Sequence, residues 1–383
     1  MMNLLDICKI GGSSVKKFDG TRKYIATGDI IDNEIASYEL VNYNNKPSRA
    51  NVEIKNSDVL FAKMKDTVKV LKANENNINN IYSTGFYCMT PNDNVLHEYL
   101  YYYFKSESFN SQKNKNCTGA TQKAINNEGL KKIKIKFLPG LEEQNKIVKE
   151  LSCVERLITI KNEEVNKLNL LVKSQFVEMF GCKQDGFKCP TIQFSECVSN
   201  MLKGPFGSDI KKTLYVPKAE DTYKVYIQVN AIQKDENLGD YYISKEYFDS
   251  KMYKFEVKPL DYIITCDGTL GKLLRLDDNM EKGIISASLL KITLNEKISY
   301  KYFEEVWNQY MLGELSKDIR NACLTHLPSA KVIGSLHIPL PSKELQDKYT
   351  KIVEQIDKQK FEFEKSLKKL QELQESLMQE YFG

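Results

Sequence analysis

The chain has 383 residues and a mass of 44.2 kDa, which exceeds one ordinary hydrophobic core and predicts two or three domains. With 42% hydrophobic and 28% charged residues, the composition excludes a wholly disordered or fibrous chain. No apolar run reaches the ~18 residues that span a bilayer, no secretion signal is recognisable at the start, and nine cysteines without paired spacing predict reduced thiols in the cytoplasm. A net charge of +4 is too small to indicate nucleic-acid binding by itself.

Residues 1–140 are predicted to form a first mixed α/β domain. Short β-like runs at 23–31, 57–64 and 131–139 are separated by a helical stretch at 94–108. Eight lysines between positions 105 and 136 face only two glutamates, a pattern that favours a polyanionic partner but that an ordinary solvated face explains equally well. The candidate phosphate contacts here are the basic residues of two loops, Lys16, Lys17, Arg22, Lys113 and Lys115.

Residues 141–181 are predicted to be a long central helix. From Ile147 to Met179 a 3-4 spacing selects ten positions, eight of them apolar, and neither proline nor glycine interrupts them. Such a seam would be exposed on a lone helix, so it predicts packing against a second helix with the same pattern.

Residues 182–340 are predicted to form a second mixed α/β domain. β-like runs occur at 223–232, 260–267 and 283–294, with a helical stretch at 300–315. Two loops combine glycine, hydroxyl groups and lysine, a mixture suited to phosphates and base edges, although each loop alone is more often an ordinary turn. Their candidate contacts are Lys203, Ser208, Lys211, Lys212, Thr269 and Lys272.

Residues 341–383 repeat the central helix. A displacement of 202 positions superimposes Gln144 on Gln346 and, without a gap, Phe180-Gly181 on Phe382-Gly383. The two domains that precede the repeated helices have diverged from each other, as two modules that recognise different targets would.

The short joints between segments favour antiparallel packing of the two helices. The predicted fold is therefore α/β: two mixed α/β domains in tandem, joined by two long helices that form an antiparallel coiled coil with pseudo-two-fold symmetry. Each helix spans about 37 residues, roughly 55 Å, and duplex DNA has a matching local two-fold symmetry.

Signatures of catalysis are missing from the sequence. The segment 266–272 approaches a phosphate-binding loop, but Cys266 replaces its first glycine. No Pro-Pro dipeptide exists, which excludes the Asn/Asp-Pro-Pro-aromatic signature of amino-methylating enzymes, and the three histidines lack metal-binding spacing. The sequence predicts neither a catalytic residue nor a metal site.

The duplicated helix starts, L-P-x-L-E-E-Q-x-x-I at 138–147 and I-P-L-P-x-x-E-L-Q at 338–346, resemble those of the specificity subunits of Type I restriction–modification systems. The resemblance covers essentially the whole chain. It implies two target recognition domains, each for one half of a split DNA sequence. It also implies two modification subunits, which bring S-adenosylmethionine and methylate adenine N6, and, where present, restriction subunits that use ATP and Mg.

The resemblance also implies DNA contacts in the loop before each long helix. In the first copy these are Gly119, Thr121, Gln122 and Lys123; in the second they are Thr325 and His326. Arg320, nearby in the sequence, is a further candidate DNA contact. Two other interpretations stay open: a divergent nuclease or methyltransferase hidden in one domain, which would act on DNA without partners, and a coiled-coil scaffold for two protein-binding modules, which would show no salt-dependent DNA affinity.

Overall fold

The computed structural model describes residues 2–135, 139–316 and 326–383. They divide into two compact units, Met1–Glu164 with Phe363–Gly383, and Val165–Glu362. Each unit combines a mixed α/β portion with parts of both long helices. The division at 1–140, 141–181, 182–340 and 341–383 therefore stays a prediction about functional domains. None of the helices in the described ranges is both long and apolar enough to cross a membrane.

Within its described residues, 2–135 and 139–164 with 363–383, the first unit has fourteen short strands and four short α-helices. The strands are β1 (Met2–Asn3), β2 (Cys8–Ile10), β3 (Arg22–Ile25), β4 (Ile30–Ile31), β5 (Glu34–Ile35), β6 (Glu39–Val41), β7 (Ala50–Val52), β8 (Val59–Ala62), β9 (Val70–Lys72), β10 (Ile81–Ser83), β11 (Phe86–Pro91), β12 (Cys117–Thr118), β13 (Ala124–Ile125) and β14 (Lys134–Ile135). The helices are α1 (Leu4–Ile7), α2 (His97–Lys105), α3 (Glu107–Lys115) and α4 (Asn127–Leu130), after which the long helix α5 (Leu141–Phe180) begins.

The second unit repeats this arrangement. Its strands are β15 (Gly181–Cys182), β16 (Gly186–Phe187), β17 (Thr191–Gln193), β18 (Val198–Lys203), β19 (Tyr223–Tyr226), β20 (Tyr242–Ile243), β21 (Glu256–Val257), β22 (Tyr262–Thr265), β23 (Leu273–Arg275), β24 (Gly283–Ile285), β25 (Leu289–Leu294) and β26 (His337–Pro339). Its helices are α6 (Gln228–Gln233), α7 (Lys245–Tyr247), α8 (Tyr300–Val306) and α9 (Ala330–Gly334), followed by the long helix α10 (Lys343–Phe382). The predicted run at 223–232 is thus a strand only in its first half.

Each unit contains two four-stranded sheets in equivalent order. In the first unit these are β6-β3-β10-β7 and β2-β11-β8-β9; in the second they are β20-β19-β24-β21 and β18-β25-β22-β23. The one parallel pair in each, β3 with β10 and β19 with β24, is also equivalent. The strand β8 is buried at all four residues, and so is β22, because both faces are covered. The sheets confirm the predicted mixed α/β duplication.

A buried aspartate shows how closely the units correspond. Asp58 accepts hydrogen bonds from the Thr90 hydroxyl at 2.5 Å and from the Lys55 amide at 2.8 Å. In the second unit Asp261 accepts from the Thr293 hydroxyl and the Lys258 amide at the same two distances. A buried carboxylate is tolerated only when its oxygens are satisfied, so both units preserve the same polar contact at the start of the central strand.

The long helices run antiparallel within each unit. In the first unit the Tyr381 hydroxyl, near the end of α10, hydrogen-bonds to Glu150, near the start of α5. In the second unit the Tyr349 hydroxyl, near the start of α10, donates to the Val172 carbonyl at 3.4 Å. None of the twenty predicted seam positions is exposed, and the four polar ones, Lys161, Gln175, Lys360 and Gln374, are half-buried. The predicted seam and the antiparallel direction are confirmed.

Candidate nucleic-acid interface

Three loops of the first unit meet at the end of its central strands. The loop after β8 is joined to the loop after β12 by a hydrogen bond from the Lys65 amide to the Lys123 carbonyl at 2.9 Å. The Lys63 amide donates to the Gly85 carbonyl at 2.9 Å, which fixes the turn between β10 and β11 beside them. The Thr84 amide of this turn bonds in turn to the Arg49 carbonyl at 2.9 Å. We call these joined loops the first loop cluster.

The first loop cluster is positively charged at its surface. Lys123 and Arg49 are exposed, and 40% of the Lys65 side chain is accessible, 3.9 Å from the more exposed Asp66. The Lys63 ammonium donates to the Thr84 carbonyl at 2.8 Å, and partial burial lowers the pKa of this lysine. The exposed side chains of Lys123 and Lys65 can therefore reach phosphates, Lys65 from its long contact with Asp66, while Lys63 holds the turn in place.

The tip of the 119–123 loop depends on a glycine. Gly119 has φ of +127°, and a Cβ atom there would lie 2.5 Å from the Gln122 carbonyl oxygen. Glycine alone adopts this conformation readily, so the loop closes tightly and leaves Thr121, Gln122 and Lys123 exposed. The predicted contacts Gly119, Thr121, Gln122 and Lys123 thus share one surface.

Two other predicted contacts in this unit are engaged inside the protein. The Arg22 guanidinium forms an ion pair with Glu53 at 2.5 Å and donates to the Asn79 carbonyl at 2.9 Å. Lys113 is 1% exposed, its ammonium donates to the Thr67 carbonyl at 2.5 Å, and burial lowers its pKa to about 8. Neither side chain presents its charge to a phosphate, so these two residues do not fit the predicted role.

The remaining predicted lysines of the first unit are exposed. Lys115 lies at the end of α3, whose Asn114 accepts a hydrogen bond from the Asp66 amide at 2.9 Å, beside the first loop cluster. Lys16 and Lys17 lie on a different loop, which the Val15 amide ties to Asn51 of β7. Sequence reasoning missed Arg49 and Lys65, although three lysines in the span 63–69 were a usable signal.

We expect Lys115→Met to weaken DNA binding and Lys113→Met to leave it nearly unchanged. Losing one phosphate contact should reduce the slope of log affinity against log salt by about 1, and only Lys115 is exposed to make one. Fluorescence anisotropy between about 50 and 200 mM salt measures both slopes, with circular dichroism to confirm folding. Equal slopes for the two variants would contradict the assignment.

The second unit has an equivalent set of joined loops. The Leu327 amide donates to the Cys266 carbonyl at 2.8 Å, and the Lys203 ammonium donates to the Leu327 carbonyl at 2.7 Å. Beside them, His326 Nδ1 lies 2.5 Å from Asp267 Oδ1. The structure therefore brings together the segments around Lys203, 266–272 and His326, which we call the second loop cluster.

The other predicted contacts of this unit lie on the same loops. The exposed ones are Ser208, Lys211, Lys212, Thr269, Lys272 and His326. Arg320 and Thr325 lie outside the described residues. The Thr265 hydroxyl accepts from the Lys272 amide at 3.0 Å, which holds the 266–272 loop closed against the strand and leaves its side chains in solvent.

The two loop clusters are built alike. In the first unit Met64 and Ala124 form an isolated β-bridge; in the second, Asp267 and His326 do. The bond from the Leu327 amide to Cys266 also has its counterpart, from the Ile125 amide to the Lys63 carbonyl at 3.0 Å. The side chains differ, however, because one bridge is apolar and the other carries an acid and an imidazole.

Exposed lysines, hydroxyls, an amide and an imidazole on tightly held loops can contact phosphates and base edges. Within the described ranges no three histidine, cysteine, aspartate or glutamate side chains converge to hold a metal ion.

Comparison with known proteins agrees with this geometry. Residues 1–170 match the family model of the Type I restriction modification DNA specificity domain. The Type I restriction enzyme MjaIX specificity subunit of Methanocaldococcus jannaschii is 30% identical over 155 residues, which are 39% of this chain and 33% of that protein. The match thus spans a third of the length of this curated relative.

Two solved structures share the fold along nearly the whole chain. A chain from a study of complex assembly and conformational transition of the type I R-M system has a TM-score of 0.59 at 16% identity and covers 97% of both chains. The S subunit of a Type-I restriction-modification system from M. genitalium has a TM-score of 0.55 at 16% identity, covering 99% of this chain and 94% of that one. At these identities the likeness establishes the fold alone.

The family model, the curated relative and both solved structures all concern Type I restriction–modification systems. Residues 1–170 thus match a Type I restriction modification DNA specificity domain, and nearly the whole chain shares the fold of the S subunit from M. genitalium.

Proposed function

We propose that this chain recognises a split DNA sequence in the cytoplasm, with the first loop cluster contacting one half and the second loop cluster the other. The observation that carries the proposal is the equivalence of the two clusters in backbone combined with their difference in side chains. Equivalent backbones would hold two segments of the duplex in the same manner. Different side chains would select different bases.

The proposed partners are double-stranded DNA and two copies of a modification subunit, joined by restriction subunits where these are present. The modification subunits would supply S-adenosylmethionine and methylate adenine N6; restriction subunits would use ATP and Mg. Apolar side chains on the outer face of α5 support docking to protein, since they are exposed in each unit: Leu157, Ile160, Leu170, Leu171 and Val177.

The paired helices would fix the length of the unspecified spacer between the half-sites. Each has 40 residues, about 60 Å at 1.5 Å per residue, and neither is interrupted within that length. A continuous helix resists bending far better than a loop, so we infer that spacer length is a property of α5 and α10 rather than of the loops.

Methylome sequencing tests the proposal directly. Deleting the gene is expected to abolish adenine methylation at one split motif, and restoring it should restore that methylation. Replacing residues 182–340 by the corresponding segment of a relative should then change one half of the motif and preserve the other half and the spacer. A change in both halves, or methylation by the purified chain without partners, would contradict the proposal.

A further inference from the structure

One aromatic side chain of the second unit lies almost entirely in solvent. Phe206 is 82% exposed, more than any other exposed large apolar residue of the described ranges, of which the next are Phe361 and Tyr253 at 63%. An exposed phenylalanine contributes little to the hydrophobic core, so the fold does not account for this side chain.

The loop that carries Phe206 is fixed on both sides. Before it, the Gly204 amide donates to the Leu289 carbonyl at 2.8 Å, and Gly204 packs so closely on the Ser286 backbone that a Cβ atom would collide with its carbonyl. After it, the Asp209 amide donates to the Phe206 carbonyl at 2.8 Å, and the Tyr247 hydroxyl donates to the Asp209 carbonyl at 2.6 Å. The ring is therefore presented by an ordered backbone.

Phe206 belongs to the second loop cluster. Three residues before it, Lys203 is tied to the Leu327 carbonyl beside His326. After it, Ser208, Lys211 and Lys212 are exposed on the same loop. The loop that carries the ring thus also carries exposed groups that suit phosphates. Proteins bind nucleic acid by joining such cationic contacts to aromatic stacking.

The first unit has no such residue on its corresponding loop. Phe18, in the segment between β2 and β3, packs edge-on against Tyr43 with ring centroids 5.9 Å apart, and the Arg22 guanidinium lies 5.1 Å from its ring centroid. Phe18 therefore serves the fold of its own unit, and the solvent-exposed ring is specific to the second.

We propose that Phe206 stacks on a base of the half-site bound by the second unit. This inference rests on the proposed function, because it requires the second loop cluster to face DNA. An apolar ring inserted at a base step unstacks that step, and alanine replacement of a stacking aromatic removes a substantial part of the binding free energy.

The test uses the full chain and a duplex that carries the split motif found by methylome sequencing. Phe206→Ala should lower affinity roughly 10- to 100-fold without changing the slope of log affinity against log salt, because phenylalanine carries no charge. Phe206→Trp should restore binding to within about 3-fold, since the indole also stacks. The matched control is Phe361→Ala, an exposed phenylalanine of the same unit on α10, which should leave affinity unchanged.

The position of the ring is measured with 2-aminopurine placed at successive positions of each half-site. The wild-type chain should raise its fluorescence at one step of one half-site, and Phe206→Ala should remove that signal. Unchanged affinity in Phe206→Ala, or weakened affinity without any position-specific signal, would overturn the inference. The inference would also be overturned if Phe206→Ala bound DNA normally but no longer bound the modification subunit, because Phe206 would then be a protein contact. Absence of salt-dependent DNA binding in the wild-type chain would instead overturn the proposed function.

Discussion

Reversing the charge of both Lys65 and Lys123 is expected to lower the affinity of the chain for any DNA duplex on the order of 100-fold at 0.1 M salt. The two residues are joined through their backbones at 2.9 Å, and both side chains reach solvent. The two substitutions together change the charge of the first loop cluster by four elementary charges. Each elementary charge near water contributes somewhat under about 1 kcal/mol to the interaction with a neighbouring phosphate. Lys65→Glu with Lys123→Glu should also reduce the salt slope by about 2.

The matched control is Lys368→Glu with Lys369→Glu, which makes the same change in net charge. Both residues are exposed on α10 in the same unit, and neither belongs to the first loop cluster. Anisotropy titrations on specific and unrelated duplexes should show a uniform loss for the loop variant and little change for the control. An equal loss in both variants would mean that net charge, rather than the first loop cluster, governs binding.

The helices and the duplication could be predicted because they repeat along the chain. Every seam position from Ile147 to Met179 and from Tyr349 to Tyr381 is buried or half-buried, as a 3-4 apolar spacing requires. A polar residue in the seam packs against the facing helix: the Lys161 ammonium lies 4.4 Å from the Phe363 ring centroid. The apolar spacing indicates which face of a helix packs against its neighbour, and this alone predicted the seam of both long helices.

Individual DNA contacts could not be predicted to the same extent, because exposure of a lysine is decided by tertiary packing. Lys113 and Lys115 are two residues apart in one helix, yet one is buried and the other exposed. Arg22 stands at the start of a strand, where its partner Glu53 comes from a distant part of the chain. Composition marks a basic segment, and only the fold selects which of its charges face outward.

The glutamine of the repeated helix start was visible in the sequence, and the structure supplies its physical reason. Gln144 and Gln346 are both fully buried. Gln144 accepts from the Leu96 amide and donates to the Asn94 and Pro139 carbonyls, all at 2.9 Å. The side chain thus joins the first turn of the long helix to the segment that precedes α2. The motif therefore encodes a structural connection, used once in each unit.

Gln346→Leu is accordingly expected to destabilise the second unit by about 3–5 kcal/mol. Gln346 Oε1 accepts from the Ser299 amide at 2.7 Å, and Nε2 donates to the Lys297 and Pro341 carbonyls at 3.1 and 3.0 Å. Leucine is similar in size but bonds to none of these, which leaves three backbone groups without their partner, at about 1–3 kcal/mol for each one that stays buried.

Urea unfolding followed by circular dichroism and tyrosine fluorescence measures the effect. Gln355→Leu is the matched control, because it makes the same chemical change at an exposed position of the same helix, where the expected shift is within about 0.5 kcal/mol. Gln144→Leu should destabilise the first unit in the same way. If the two units unfold in separate transitions, each variant should therefore shift only the transition of its own unit. A Gln346→Leu protein no less stable than Gln355→Leu would show that the buried amide does not hold the helix start in place.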